Sequence, residues 1–201
     1  MAELHTFRIA DWDTPLRANP HRMAGRFNEA GSPATQYLAL HPLTAWAEYV
    51  RNQGLETLEQ ISGLRLTVWT VKLRCDEVLE VGFEQADRHG LRPDDLVADD
   101  WTACQLLAQR IRSDPTVPSV IRTPSAALPG TDSLVVLDAR VAIPYNWEPL
   151  APVDAPSSVV ATDARPPAAL LPLVRRRGDP HTGLEAWKRG RIFEFIEPLR
   201  D

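Results

Sequence analysis

Short apolar runs rich in β-branched residues recur along the chain and predict several β-strands. The clearest run is LRLTVWTVKLR at residues 64–74, in which β-branched and aromatic residues predominate. The last run, RIFEFI, alternates apolar with polar residues, as a strand with one buried face does. With this last run at residues 191–196, six further strands are predicted. The other five are residues 6–10, 36–40, 78–81, 119–123 and 134–137.

Two helices are predicted from apolar residues that recur at spacings of three and four. The first begins at Pro42, whose missing N–H suits a first helical turn, and ends near Gly54. The second is capped by Asp99 or Asp100 and runs to about Arg112. Helices and strands follow one another without a regular βαβ rhythm, which predicts an α+β fold rather than a doubly wound sheet.

The composition is that of an ordinary globular chain. Its 201 residues can bury a sizeable core, and 44% of them are apolar while 24% are charged. Many of the 18 prolines follow residue 143, and we expect residues 151–172 to wrap over the surface. We therefore predict one domain over residues 1–201, with a core at about 5–145 and a Pro-rich segment, 146–201, that packs on it.

Charge and cysteine content argue against several classes of protein. A net charge of −5 disfavours a broad nucleic-acid surface, although it permits a local basic pocket for a phosphorylated small molecule. Cys75 and Cys104 show no metal-ligand spacing, and Cys104 is expected to be a buried free thiol, so no metal site is predicted. No signal peptide or membrane-spanning stretch is evident, and we predict a cytoplasmic protein without membrane contact.

The densest set of chemically active side chains lies in residues 25–48, GRFNEAGSPATQYLALHPLTAWAE. Arg26 lies in a glycine-flanked turn, where its guanidinium suits an anion, although a surface arginine paired with a carboxylate fits equally well. Tyr37 lies in a strand and has the alternative role of a half-buried aromatic. Glu48 lies near one edge of the apolar stripe of its helix. One such carboxylate is enough to stabilise the oxocarbenium ion formed when a glycosidic bond breaks.

Outside this block, the candidates have plain structural alternatives. Arg8 lies within an apolar strand. At a sheet edge its charge would be solvated by water, but on a central strand it would need an anionic partner. Ser125 follows Pro124 without a nucleophile elbow, so it either caps a turn or orients a ribose or phosphate. The run of arginines at 175–177 is expected to be a solvated or partner-facing patch. The histidines are scattered and are taken as non-catalytic: His5, His21, His41, His89 and His181.

In order and spacing, these residues resemble the RES-domain family, the toxins of Xre/RES toxin–antitoxin systems. The resemblance covers about residues 5–145 and is most specific in the N-terminal block. Phe27 stands where the family usually has Trp, and Asp132-Ser133 stand where it commonly has Asn. The matching segments are Phe7-Arg8-Ile9, Gly25-Arg26-Phe27-Asn28 with Gly31, Tyr37-Leu38-Ala39, Ala45-Trp46-Ala47-Glu48, Trp101, and Pro124-Ser125-Ala126-Ala127 with Gly130.

The resemblance implies a fold similar to ADP-ribosyltransferases, with small mixed or antiparallel sheets and flanking helices around an NAD cleft. It implies that NAD is the substrate and is cleaved at the nicotinamide–ribose bond, by phosphorolysis with inorganic phosphate as co-substrate, or by hydrolysis. Carried over to this sequence, Arg8, Glu48 and Ser125 are expected to be catalytic. Arg26 and Tyr37 are expected to bind NAD, and no further cofactor or metal is expected.

The resemblance also implies a protein partner, an Xre-type antitoxin that occludes the cleft, and it leaves homo- or hetero-oligomers open. Direct binding to nucleic acid is not expected. Two other functions remain open for the same fold. One is an ADP-ribosyltransferase that modifies a protein target, and the other is a catalytically inactive binding module.

Overall fold

The strands of the protein form one mixed sheet in a computed structural model that describes residues 2–10, 15, 23–33, 35–137 and 157–198. The strands are β1 (Ala2–Ala10), β2 (Thr35–Ala39), β3 (Leu66–Cys75), β4 (Leu79–Glu80), β5 (Val120–Pro124), β6 (Asp132–Leu137) and β7 (Ser157–Ala164). The α-helices are α1 (Pro42–Asn52), α2 (Leu58–Ser62), α3 (Thr102–Ser113) and α4 (Thr182–Lys188). Short 3-10 segments lie at Ala86–His89, Pro93–Leu96 and Ala168–Leu173.

The sheet has the order β4-β5-β6-β2-β1-β3-β7. Every neighbouring pair is antiparallel except β4 and β5, which run parallel. β1 is an interior strand: Phe7 pairs with Ala39 of β2 on one side and with Thr70 of β3 on the other. The predicted α+β class is confirmed, whereas the division into one domain over residues 1–201 stays a prediction.

The two faces of the sheet carry different parts of the core, because successive side chains of a strand point to opposite faces. One face buries Leu38, Val71 and Leu134 in a single cluster. The other face packs against α1 through Val68 and Trp46, and against α3 through residues such as Val135 and Leu107. The long helices therefore lie on one side of the sheet, and that side carries the candidate site.

The start of α1 follows from its sequence as predicted. His41 is the N-cap, and its Nδ1 accepts a hydrogen bond from the backbone N–H of Leu43 at 3.2 Å. Pro42 occupies the first turn, where no backbone N–H is needed. Trp46 and Val50 are buried, while Glu48, which lies between them in the sequence, is only half-buried. Glu48 is therefore held at the margin of the core.

The predicted second helix is also confirmed, as α3. The Asp100 carboxylate accepts hydrogen bonds from the N–H of Thr102 at 3.0 Å and from its hydroxyl at 2.7 Å. Cys104 is a buried free thiol, as predicted. Its S–H donates to the carbonyl of Asp95 at 3.3 Å, and burial raises its pKa to about 11.

The described part of the last third of the chain contains more regular secondary structure than the sequence predicts. Within residues 151–172, the described part contains β7, which pairs with β3 across a register shift, and a 3-10 segment. Both faces of β7 are largely exposed, so no alternating pattern marks it in the sequence. Residues 146–156 of the predicted Pro-rich segment lie outside the described ranges.

Residues 191–196 do not form the predicted strand. They follow Gly190, which has a φ of 66° and lies two residues after the end of α4. Phe195 then packs against Gly130, where an added Cβ would lie 2.8 Å from the Phe195 nitrogen. The segment therefore runs along the loop between β5 and β6, and Ile192 is left 89% exposed.

We predict that Phe27→Ala destabilises the fold. The Phe27 side chain is fully buried in the cluster on the α3 side of the sheet, so its truncation leaves a cavity and should lower the free energy of unfolding by about 3–5 kcal/mol. Denaturant unfolding followed by circular dichroism measures this. Leu106→Ala, at a position on α3 that is 52% exposed, is the control and should cost below about 1 kcal/mol. Equal losses in the two variants would contradict the assignment of Phe27 to the core.

Candidate active site

A hydrogen-bonded carboxylate–hydroxyl pair joins α1 to the loop between β5 and β6. The Ser125 hydroxyl donates to Glu48 Oε1 at 2.8 Å, although the two residues are 77 positions apart in the sequence. The N–H of Ala127 also donates to Glu48 Oε1, at 3.3 Å. Glu48 Oε2 has no hydrogen-bond partner among the described residues. One oxygen is therefore fixed by the protein, and the other makes no hydrogen bond to the described residues.

The loop that carries Ser125, residues 125–131, is held by its own backbone. Ser125 Oγ accepts hydrogen bonds from the N–H groups of Ala127 at 3.2 Å and Leu128 at 3.1 Å. The Ser125 N–H donates to the carbonyl of Thr131 at 2.9 Å. With both lone-pair directions of Oγ occupied, the single hydroxyl proton is directed to Glu48. Ser125 therefore combines the turn role and the site role that the sequence left as alternatives.

His181 binds the carbonyl of Ser125, and no pattern in the sequence indicates this role. The His181 Nδ1 accepts from the N–H of Leu184 at 3.0 Å. The proton is therefore on Nε2, which donates to the Ser125 carbonyl at 3.0 Å. His181 is only 4% exposed, and this burial lowers its pKa to about 4. The imidazole is thus neutral at physiological pH.

A cluster of charged groups lies beside the pair. Arg51, one helical turn after Glu48, has a side chain only 3% exposed and forms an ion pair with Asp99. Arg175 approaches the same carboxylate at 3.5 Å. Burial lowers the pKa of Arg51, and the charges of Glu48 and Asp99 oppose that shift. Arg51 therefore links the catalytic candidate Glu48 to a buried network that sequence reasoning missed.

Asp99 is the anionic centre of this network. Burial raises its pKa, but the hydrogen bond from the Gly178 N–H at 2.6 Å and the charges of Arg175 and Arg51 outweigh burial, so the pKa is lowered overall. The carboxylate stays ionised and balances part of the positive charge around it.

The prediction of a solvated patch at residues 175–177 is wrong for Arg175. Its side chain is 8% exposed, and its Nε donates to the carbonyl of Asp179 at 2.9 Å. Arg177 is exposed and lies over the ring of Trp101, 5.6 Å from the ring centroid. The three arginines therefore differ in environment, which a run of identical residues does not reveal.

Arg26 connects its turn to the segment before α3. The turn closes through the Gly25 N–H, which donates to the Asn28 carbonyl at 2.8 Å. The Arg26 Nη1 donates to the carbonyl of Ala98 at 2.8 Å. Its charge acts on Arg51 and Asp99, and in each case it lowers their pKa. Arg26 thus belongs to the same charged region as Glu48.

Tyr37 is bound to the turn that carries Arg26. Its hydroxyl accepts from the Phe27 N–H at 2.9 Å and donates to Asn28 Oδ1 at 2.8 Å. Burial raises its pKa, so the hydroxyl keeps its proton. Gly25 is needed for this close approach, because an added Cβ would lie 2.7 Å from the Tyr37 hydroxyl. The role of Tyr37 toward NAD stays a prediction.

Arg8 is not brought together with the other candidates. Its Nη1 donates to Gln36 Oε1 on β2, and Gln36 faces away from Tyr37 by strand alternation. The next residue, Ile9, packs with the α1 cluster, so Arg8 lies on the opposite face of the sheet from α1. Burial lowers the pKa of Arg8 to about 10. The predicted catalytic role of Arg8 stays a prediction.

The part of the chain that the structure describes contains neither a metal-binding cluster nor a membrane-spanning helix. No group of three or more His, Cys, Asp or Glu residues there is arranged to hold a metal ion. No helix in the same ranges has the length and apolar character needed to cross a membrane.

We predict that the neutral His181 makes stability depend on pH. The unfolded histidine has a pKa of about 6.5, and in the folded protein burial, with the charges of Arg175 and Arg26, lowers it to about 4. The unfolded chain then binds more protons between these values. The contribution of His181 is therefore complete above about pH 6.5 and is lost as the pH falls toward 4, by roughly 3 kcal/mol.

Urea unfolding at pH 4.5, 5.5 and 7.0 measures this, with His181→Asn as the reference. Asn keeps an acceptor for the Leu184 N–H but does not titrate. The free energy of unfolding of the wild type should fall more steeply with decreasing pH than that of the variant. Parallel profiles would contradict a buried neutral His181.

This chain is similar to a known domain family, to a relative in sequence and to a solved structure. Residues 5–156 match the model of the RES domain. A probable NAD(+) phosphorylase of Mycobacterium tuberculosis (strain ATCC 25618 / H37Rv) is 33% identical over 123 residues, which are 59% of this chain and 56% of that protein. The match therefore spans about half the length of this relative.

The fold is similar to that in the crystal structure of the M. tuberculosis MbcT–MbcA toxin–antitoxin complex. The TM-score is 0.61, at 20% sequence identity over 86% of this chain and 89% of the other. Since the domain model matches well over half of the 201 residues, the resemblance noted in the sequence is confirmed, and the chain belongs to the RES-domain family.

Proposed function

We propose that this protein cleaves NAD at the bond between nicotinamide and ribose. The observation that carries the proposal is the Glu48–Ser125 pair, in which one carboxylate oxygen is fixed and the other has no partner among the described residues. The proposal is supported by the relative that is named a probable NAD(+) phosphorylase. It requires no resident cofactor, because NAD is consumed as a substrate.

The chemistry fits a single carboxylate. The nicotinamide ring is cationic in NAD, and it leaves with the electron pair of the bond to C1′, so it becomes neutral without a general acid. Positive charge then develops on the ribose as an oxocarbenium ion. A fixed carboxylate oxygen stabilises this charge as it forms, and the interaction is strengthened where water is excluded. We assign that role to the free Oε2 of Glu48.

The arginine cluster, Arg26, Arg51 and Arg175, supplies the charge complement to the phosphates. Three guanidinium groups face two carboxylates, Glu48 and Asp99, which leaves one excess positive charge. The buried Nε of Arg51 has no acceptor among the described residues. In this proposal the half-exposed Arg26 contacts the pyrophosphate, while the buried arginines act mainly through their field.

The remaining predicted residues take narrower roles in this proposal. Ser125 orients the Glu48 carboxylate. Tyr37 holds the turn of Arg26 and offers its ring edge to the nicotinamide side. Arg8 supports the pairing of β1 with β2 through Gln36.

We infer phosphorolysis as the reaction, because an excess of positive charge favours an anionic nucleophile over water. An oxygen of inorganic phosphate then forms a bond to C1′ while the bond to nicotinamide breaks, giving ADP-ribose 1″-phosphate and nicotinamide. With water in place of phosphate, the products are ADP-ribose, nicotinamide and a proton.

We further propose that the protein is the toxin of a type II toxin–antitoxin pair that acts on the cytoplasmic NAD pool. Its inhibitor would be an Xre-type antitoxin that covers the cleft. The support is the fold shared with a protein whose crystal structure is that of a toxin–antitoxin complex.

Glu48→Gln is the decisive variant. Gln keeps the shape of the side chain and an oxygen that accepts from the Ser125 hydroxyl, but it removes the negative charge. We expect the rate of nicotinamide release from NAD to fall by at least about 10²-fold, with no loss of thermal stability. Chromatographic measurement of nicotinamide tests this.

Glu59→Gln is the control, since this glutamate is exposed on the short helix α2, and it should leave the rate unchanged. Adding inorganic phosphate to the wild type should convert the product to ADP-ribose 1″-phosphate; free ADP-ribose at saturating phosphate would instead indicate hydrolysis. Label from NAD on a protein acceptor would indicate ADP-ribosyl transfer. A wild type that releases no nicotinamide would contradict the proposal and favour a binding module.

A further inference from the structure

A segment beyond the family-matched residues 5–156 reaches back to the candidate site. We call it the C-terminal arm, residues 174–184. The Arg175 N–H donates to the Ala127 carbonyl at 2.8 Å, and its Nη1 donates to the Ala126 carbonyl at 3.4 Å. The His181 Nε2–H donates to the Ser125 carbonyl at 3.0 Å. The arm therefore binds three consecutive carbonyls of the loop that carries the site serine.

We propose that His181 is a positioning residue for the reaction: it orients the Ser125 hydroxyl toward Glu48 by fixing the Ser125 backbone. This inference rests on the proposed function, because it assigns a role in the same site. Arg175 assists by fixing the two following peptide groups. Neither residue touches the reacting atoms.

Ser125 is anchored through both of its peptide groups. Its N–H is bound to the Thr131 carbonyl at 2.9 Å, and its carbonyl is bound to His181. With both peptide groups anchored, the Cα–Cβ direction of Ser125 is set, and the hydroxyl reaches Glu48 at 2.8 Å. Loss of the His181 bond frees one of these two anchors, and a displacement of about 1 Å at such a group costs on the order of 10²-fold in rate.

His181 is itself rigidly placed. Its Nδ1 is occupied by the Leu184 N–H, which fixes the tautomer that donates from Nε2. The ring meets Phe83 edge-on, with centroids 5.9 Å apart. At Gly183, an added Cβ would lie 3.2 Å from the His181 ring, so only a small residue allows this ring position. A buried ring with both nitrogens bound is suited to positioning rather than to proton transfer.

The alternative is that His181 only caps α4. The two roles use different ring nitrogens, so one substitution separates them. His181→Asn retains a side-chain oxygen that caps the helix by accepting from the Leu184 N–H. It is too short to reach the Ser125 carbonyl. His181→Ala removes both interactions and measures the cap as well.

We expect His181→Asn to lower kcat for NAD cleavage about 10- to 100-fold while KM for NAD changes by less than about twofold. A loss confined to KM, or an unchanged kcat, would overturn the proposal. If this variant does not fold, Gly183→Ala takes its place, because it retains the histidine and displaces the ring by a few tenths of an ångström. The same fall in kcat, smaller in size, is then expected.

A double-mutant cycle with Ser125→Ala distinguishes positioning from a general loss of stability. In the Ser125→Ala background, His181→Asn should change kcat by less than about twofold, since no hydroxyl remains to be oriented. A full loss in both backgrounds would refute the proposed route through Ser125.

Amide hydrogen exchange gives a readout that does not need activity. The N–H groups of Ala127 and Leu128 donate to Ser125 Oγ, and they should exchange at least about tenfold faster in His181→Asn than in the wild type. Unchanged exchange would overturn the inference even in a protein that does not cleave NAD. The absence of cleavage by the wild type refutes only the proposed function.

Discussion

The Glu48 carboxylate is the group on which the rest of the site depends. It emerges from a helix whose neighbouring positions, Ala47 and Val50, are buried in the core. A half-buried carboxylate is tolerated only when hydrogen bonds and nearby positive charge replace the water it has lost. The Ser125 hydroxyl and the Ala127 N–H provide the first, and Arg51 provides the second. Placing this one charge therefore requires a loop after β5 and a buried arginine on α1.

Arg51 extends the same requirement to distant parts of the chain. A buried guanidinium needs its own partner, and Asp99 supplies it from the segment before α3. Asp99 in turn draws in Arg175 and the Gly178 N–H from the C-terminal arm. Each charge is thus paired with a group on another segment. The ion pairs and the hydrogen bond connect α1, through Asp99, to the C-terminal arm. The charges therefore connect these segments in addition to the apolar core.

The sequence could predict the elements whose patterns are local. α1 and α3 show helical spacing and recognisable caps, and β3 is rich in β-branched residues, so all three were predicted within a few residues of their observed bounds. β7 was missed because an edge strand with two exposed faces has no alternation. Residues 191–196 alternate apolar and polar side chains, but they lie beside the loop between β5 and β6 and pair with no strand of the sheet that the structure describes. An alternating sequence therefore does not by itself ensure that a neighbouring strand is available.

Some residues of the candidate site could likewise be predicted from the sequence, and others could not. The positions of Glu48 and Ser125 came from the family resemblance, and the structure joins them. Asp99, Arg51 and His181 were missed as site residues because their importance depends on partners more than 40 positions away. In the sequence, Arg51 is an ordinary basic residue near a helix end, and His181 is one of five scattered histidines. Arg8 shows the converse, since its place in the motif order did not reveal that it faces away from α1.

The C-terminal arm has a consequence for when the site can form. A ribosome releases α1 and the Ser125 loop well before it reaches His181, which follows Ser125 by 56 positions. Domains fold progressively as they emerge, and contacts with late segments are made last. A nascent chain therefore carries Glu48 and Ser125 for some time without the group that anchors the serine backbone. If the arm positions the serine as inferred, the proposed NAD-cleaving activity reaches its full rate only after His181 has been synthesised, and a shorter nascent chain cleaves NAD about 10- to 100-fold more slowly.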